Sequence, residues 1–205
     1  MELVSVLKSV SVFSYQGASD WSIEAALTAC SSALIHCGHS SAADMEAFHV
    51  AVESVMPHSP EVGLEFCQGV INIVQAGPRV LNRKTAGEAT IRLVILAMTS
   101  HADEASVQAR GAVALGVLAS NSPENVASLV RLSGCTALYD ACDNHMTSRT
   151  VQQNVCWALH WIAVFGAHGK AALLASPRAV SAATRAFHAH LNMGYAERLL
   201  QLLSL

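Results

Sequence analysis

Cys156 and His160 stand four residues apart, a spacing that puts a thiol and an imidazole on one face of a helix. Such a pair is the raw material of a nucleophilic dyad, in which the imidazole draws the proton off the sulfur. That chemistry also needs an oxyanion site and a group to orient the base, and neither is evident around CWALHWIA. Cys30, His36, Cys37 and His39 form a second cluster of potential ligands. Zinc sites use short paired spacings with a second pair downstream, which this cluster lacks. Asp140, Asp143 and His145 are a third group. Carboxylates three residues apart can hold a metal, but their usual place is a solvated face or a helix end. The chain carries no Walker-type or dinucleotide-type glycine loop and no H-E-x-x-H. The residues therefore point to no catalytic group, no metal and no cofactor, and the chain is expected not to be an enzyme. A cysteine-dependent enzyme built on Cys156 and His160 is the one enzymatic alternative.

A different pattern does suggest recognition. Gln153, Trp157, Trp161 and Phe165 recur every four residues. On a helix they make one stripe, and tryptophans are frequent anchors of protein interfaces. The competing expectation is that one or both tryptophans pack between helical layers.

These side chains are carried by helices. Apolar residues fall at helical spacing throughout, and no window alternates with period two, so the chain reads as all-α. The expected helices are 2–14, 21–36, 42–56, 61–76, a short turn at 79–84, then 86–100, 104–120, 123–132, 135–146, 148–165, 169–175, 177–191 and 193–204. Pro57 and Pro60 mark one boundary, because the residue before a proline is steered out of helical geometry. Ser122 followed by Pro123 and Glu124 is a helix start: a cap, then a residue with φ already set.

The helices also repeat. VQARGAVALGVLA at 107–119 returns 44 residues later as VQQNVCWALHWIA at 151–163. An upstream copy aligns Val62 with Val107, Cys67 with Ala112 and Val70 with Leu115, at an offset of 45. A period in this range marks stacked repeats, each unable to bury its apolar face alone. Ala112, Ala114, Cys156 and Ala158 are small, which lets neighbouring helices approach closely, and Gly134 is expected to allow a sharp reversal. The reading is a single domain over 1–205, with units at about 1–38, 39–77, 78–121 and 122–166 and a partial, capping unit at 167–205.

Composition agrees with a folded chain and narrows the partners. Apolar residues make up 52% and charged residues 13%, so a sizeable core can form. The net charge of −3 and the three lysines (Lys8, Lys84, Lys170) supply no phosphate-tracking surface, so no nucleic acid is expected. Apolar runs such as Leu93–Met98 are too short to span a bilayer, so no membrane insertion is expected. Six cysteines set in apolar helical patterns, with no glycosylation sequon and no secretory leader, suggest a reduced, cytoplasmic setting, with nuclear or cytoskeletal association as variants.

The order of features from Val107 to Leu138 resembles the armadillo repeat family, which is related to HEAT repeats. It runs Val-Gln, Ala112, Ala114-Leu115 and Leu118-Ala119, then Glu124-Asn125, Leu129-Val130, Gly134 and Leu138. The copy from 151 is similar through Leu173-Leu174, and the unit from 62 lacks the Val-Gln opening. The resemblance implies a right-handed α-α superhelix of about four repeats whose third helices line a concave groove for extended peptides. It places the groove at Leu64, Gln68, Asn72, Val113, Val117, Gln153, Trp157 and Trp161. In the nuclear-import receptors of that family a Trp and an Asn one turn later form the lining. Here Trp157 is followed by Trp161, Val113 by Val117, and Gln68 by Asn72, so the regular ladder is absent. The expected function is a scaffold that binds another protein or peptide. The alternative is a spacer or self-association module of a larger signalling or cytoskeletal protein, with Leu199, Leu202 and Leu203 as the contact.

Overall fold

The computed structural model describes residues 49–50, 52–76, 87–120, 122–190 and 194–204. The helices expected at 2–14 and 21–36, the turn at 79–84 and the Cys30–His39 cluster lie outside these residues. Helical residues at 52–55 lead into a 3-10 turn, Met56–His58. There follow α1 (Pro60–Ala76), α2 (Glu88–Ser100), α3 (Ala105–Ala119), α4 (Pro123–Arg131), α5 (Gly134–Asn144), α6 (Arg149–Phe165), α7 (Ala167–Leu174), α8 (Pro177–Ala189) and α9 (Gly194–Leu203). No described residue is in a strand, and no described helix is long and apolar enough to cross a membrane.

The long helices form a row. α1 packs on α3, α3 on α6, and α6 on α9. One apolar core runs through the row from Val52 to Leu203. Small residues sit in its seams: Ala112, Ala114 and Ala158 are fully buried there, and Cys156 is fully buried in a second, smaller cluster with Ala186 and Ala196. The shorter helices back the row in sequence, α4 and α5 behind α3, α7 and α8 behind α6.

Repetition extends to individual hydrogen bonds. Gln108 Nε2 donates to the carbonyls of Met98 (2.7 Å) and His101 (2.8 Å). One period on, Gln152 Nε2 donates to those of Cys142 (2.7 Å) and His145 (3.0 Å). These carbonyls end α2 and α5, where intrahelical donors run out. The glutamine of the Val-Gln opening is thus a clamp on the preceding helix, and Gly63 holds that place in α1 without one. Histidines link the units in the same way. Nε2 of His101 lies 2.7 Å from the Met56 carbonyl oxygen, that of His145 2.8 Å from Ala102 O, and that of His190 3.2 Å from Met146 O. Ser122 Oγ accepts from the Asn125 amide at 3.2 Å, and Asn125 Nδ2 donates back to Leu118 O at 2.9 Å, so α4 both caps itself and satisfies the end of α3.

Two expectations are corrected. The reversal before α5 is made by Ser133, whose φ is 63°, and not by Gly134. Gly134 is buried at the first turn of α5, where a Cβ would come 2.8 Å from Leu129 Cγ and 3.1 Å from Leu129 O. Its lack of a side chain serves close approach. The leucines of the last helix are also placed differently. Leu199 is fully buried, Leu203 is 7% exposed and Leu202 is half-buried against the core, because α9 lays this face on α6, α7 and α8. Most of the apolar surface of Leu199 and Leu203 is taken up within the chain.

Candidate partner-binding groove

The aromatic stripe on α6 exists, and each ring is partly sunk. Gln153 is exposed, while Trp157, Trp161 and Phe165 are half-buried against the core. Trp157 and Trp161 meet edge to face, with centroids 6.2 Å apart at 82°, and Trp161 stacks on Phe165 at 5.2 Å and 24°. Trp157 lies across α3 over Gly116, where any Cβ would collide with the indole ring. His160 continues the aromatic chain sideways, 5.2 Å from Trp161 and 5.5 Å from Tyr195 of α9. Arg198 closes it, with Cζ 5.3 Å from the Tyr195 ring centroid. Burial pulls the His160 pKa below its ordinary value, and the positive charge of Arg198 adds to this.

A cleft of about 290 Å³ opens on this face. Its lining comes from all four helices of the row: Gln75 of α1, Val113 of α3, Gln153, Asn154 and Trp157 of α6, and Tyr195 of α9. The structure thus brings together three of the residues picked from the sequence, Val113, Gln153 and Trp157. Gln68 and Asn72 stand on α1 and engage each other, Gln68 Nε2 donating to Asn72 Oδ1 at 2.7 Å. Leu64 is half-buried against the core, and Val117 is 7% exposed, beneath the surface rather than on it. Trp161 lies one turn beyond the cleft, and its Nε1 is buried with no hydrogen-bond partner among the described residues, as is His160 Nδ1.

Gln75, Asn154 and Tyr195 were missed in the sequence. Asn154 carries no signal in the sequence; its Nδ2 donates to Ala109 O at 3.0 Å, a bridge between α3 and α6. Tyr195 carries none either, because its unit diverges far from the 151–163 copy.

The candidate reactive groups are otherwise engaged. The Cys156 thiol is fully buried, and burial pushes its pKa up to about 12, the reverse of what a nucleophilic thiolate requires. Asp140 and Asp143 receive Arg178 at 2.7 Å each, and Asp143 also receives Arg185. His145 is spent on the Ala102 carbonyl. Among the described residues no three His, Cys, Asp or Glu side chains are grouped as a metal site would need.

A row of long helices, backed by shorter ones and linked to them by recurring glutamine and histidine bonds, defines a helical repeat solenoid. Solved structures specify the type. A designed armadillo repeat protein, solved in complex with the peptide (KR)4, superposes with a TM-score of 0.59 over 100% of both chains at 16% identity. An engineered protein solved by the Northeast Structural Genomics Consortium gives a TM-score of 0.58 at 17% identity, covering 97% of this chain and 98% of that one. The chain therefore has an armadillo-like repeat fold. No family model matches the sequence, and no curated protein matches it either.

Proposed function

We propose that this chain is a non-enzymatic scaffold that binds an extended segment of another protein across its row of long helices. The observation that carries this reading is the cleft lined by α1, α3, α6 and α9 together. A surface to which four neighbouring helices of the stack contribute suits a ligand that runs along the stack, which is how repeat solenoids use their length. Trp157 and Tyr195 offer wide, stiff contact area at low entropic cost, and the amides of Gln75, Gln153 and Asn154 suit a peptide backbone. Gln68, Asn72 and Trp161 extend the strip, while Leu64 and Val117 support it from below. The designed armadillo protein of similar fold holds a peptide, which is consistent with this use.

The test is site-specific crosslinking in the full chain. A photoreactive residue placed at Gln153 or Val113 should capture a partner from native extract, and the same residue at exposed Thr136 on α5 should not. Equal capture at all three positions would overturn the reading. Simple alanine scanning of the tryptophans is a poorer test, since both rings also pack against the core.

A further inference from the structure

The chemistry of the cleft narrows its occupant. The six described lining residues are three carboxamides, one valine and two aromatic rings, with no charged side chain among them. A positive charge touches this lining, since Arg198 lies over Tyr195. A lysine- or arginine-rich segment would find no carboxylate in the lining and a like charge at one end. Resting on the scaffold reading above, we propose that the occupant is an uncharged, proline-rich segment in the polyproline II conformation.

Three physical points support this. A polyproline II chain has no internal hydrogen bonds, and its prolines have carbonyls but no N–H, so it needs donors from its receptor. The carboxamides of Gln75 and Gln153, both exposed, supply such donors. Proline rings are compact and apolar, and they dock between flat aromatic side chains, as in other grooves that read proline-rich segments. Trp157 of α6 and Tyr195 of α9 provide two such walls, and Val113 of α3 adds apolar surface to the same lining. Finally, the walls are already fixed. Trp157 is seated on Gly116 and braced by Trp161, and Tyr195 is held between His160 and Arg198. A stiff ligand on a stiff surface loses little freedom on binding.

Titration of the full chain with synthetic peptides tests the proposal: a Pro-Pro-Leu repeat, a proline-free Gly-Ser-Leu repeat of equal length, and (KR)4. The Pro-Pro-Leu peptide should bind about tenfold tighter than either of the others, a difference of about 1.4 kcal/mol. Gln153→Glu, at an exposed position that leaves the core intact, should weaken the proline-rich peptide several-fold and strengthen (KR)4. Equal or tighter binding of (KR)4 or of the proline-free peptide to the unmodified chain would overturn the proposal, as would indifference of all three to Gln153→Glu. If none of the peptides binds while crosslinking at Gln153 still captures a partner, this inference falls and the scaffold reading stands. Loss of that crosslink removes both.

Discussion

The indole of Trp157 lies on the bare backbone of Gly116. A Cβ at 116 would come 2.6 Å from Trp157 Cε3 and 3.2 Å from the Ala158 Cα. The largest side chain on α6 is therefore seated by the smallest residue on α3, and the groove wall and the inter-repeat seam are one contact. Gly116→Ala should destabilise the chain by about 1–3 kcal/mol, the usual cost of overpacking. Combined with Trp157→Phe the loss should shrink, so the two changes should be non-additive in urea unfolding. Additive losses would show that the ring and the glycine are not energetically coupled.

The glutamine clamps are a second target. Gln152 is 2% exposed and donates to two carbonyls at the end of α5. Gln152→Ala should cost about 1–3 kcal/mol, since it removes the buried donor to Cys142 O, while His145 O keeps the Ser148 amide at 3.0 Å. Gln108→Ala should behave alike, because its two bonds repeat the same geometry. Denaturation midpoints of the two variants should fall together.

Neighbouring residues at the start of α5 should respond with opposite sign. Ser133 pays for a left-handed backbone that glycine adopts freely, so Ser133→Gly should stabilise by up to about 1 kcal/mol. Gly134→Ala should destabilise, because its methyl would press on Leu129, including its carbonyl oxygen. Thermal melts of the two variants suffice, and a stabilising Gly134→Ala would contradict the packing described.

Buried thiols set the alkaline limit. Cys67 and Cys156 are pushed from an ordinary value of 9.0 up to about 12 by burial. The folded chain then keeps protons that the unfolded chain releases above pH 9. Stability should be intact below that value and fall as pH rises from 9 toward 12, by up to about 1.4 kcal/mol per pH unit for each thiol. Urea midpoints across this range should fall less steeply in Cys67→Ala and Cys156→Ala. His160 acts at the other end. Its lowered pKa means that the unfolded chain takes up a proton first as pH falls through the ordinary histidine range, so its contribution is lost on acidification. His160→Gln should flatten that acid slope.

Much of the architecture was legible in the chain itself. Helical spacing of apolar residues and the recurrence of Val-Gln, Ala-Leu and a bulky residue plus alanine placed α3 and α6 to within two residues at each end, because those positions face an apolar seam that every layer must fill. Ser122 and Pro123 started α4 where capping chemistry requires. The stripe from Gln153 to Phe165 was equally plain, since period alone fixes which residues share a helix face.

The long-range partnerships belong to the folded state. That Trp157 rests on Gly116, that His101, His145 and His190 reach backbone carbonyls of the preceding layer, and that Tyr195 joins Gln75 at one cleft depend on how far each helix slides and rotates against the next. A repeat pattern specifies which face is buried, because burial follows from local periodicity. The crossing geometry is decided by side-chain volumes meeting across the seam, and those volumes come from residues more than forty positions apart.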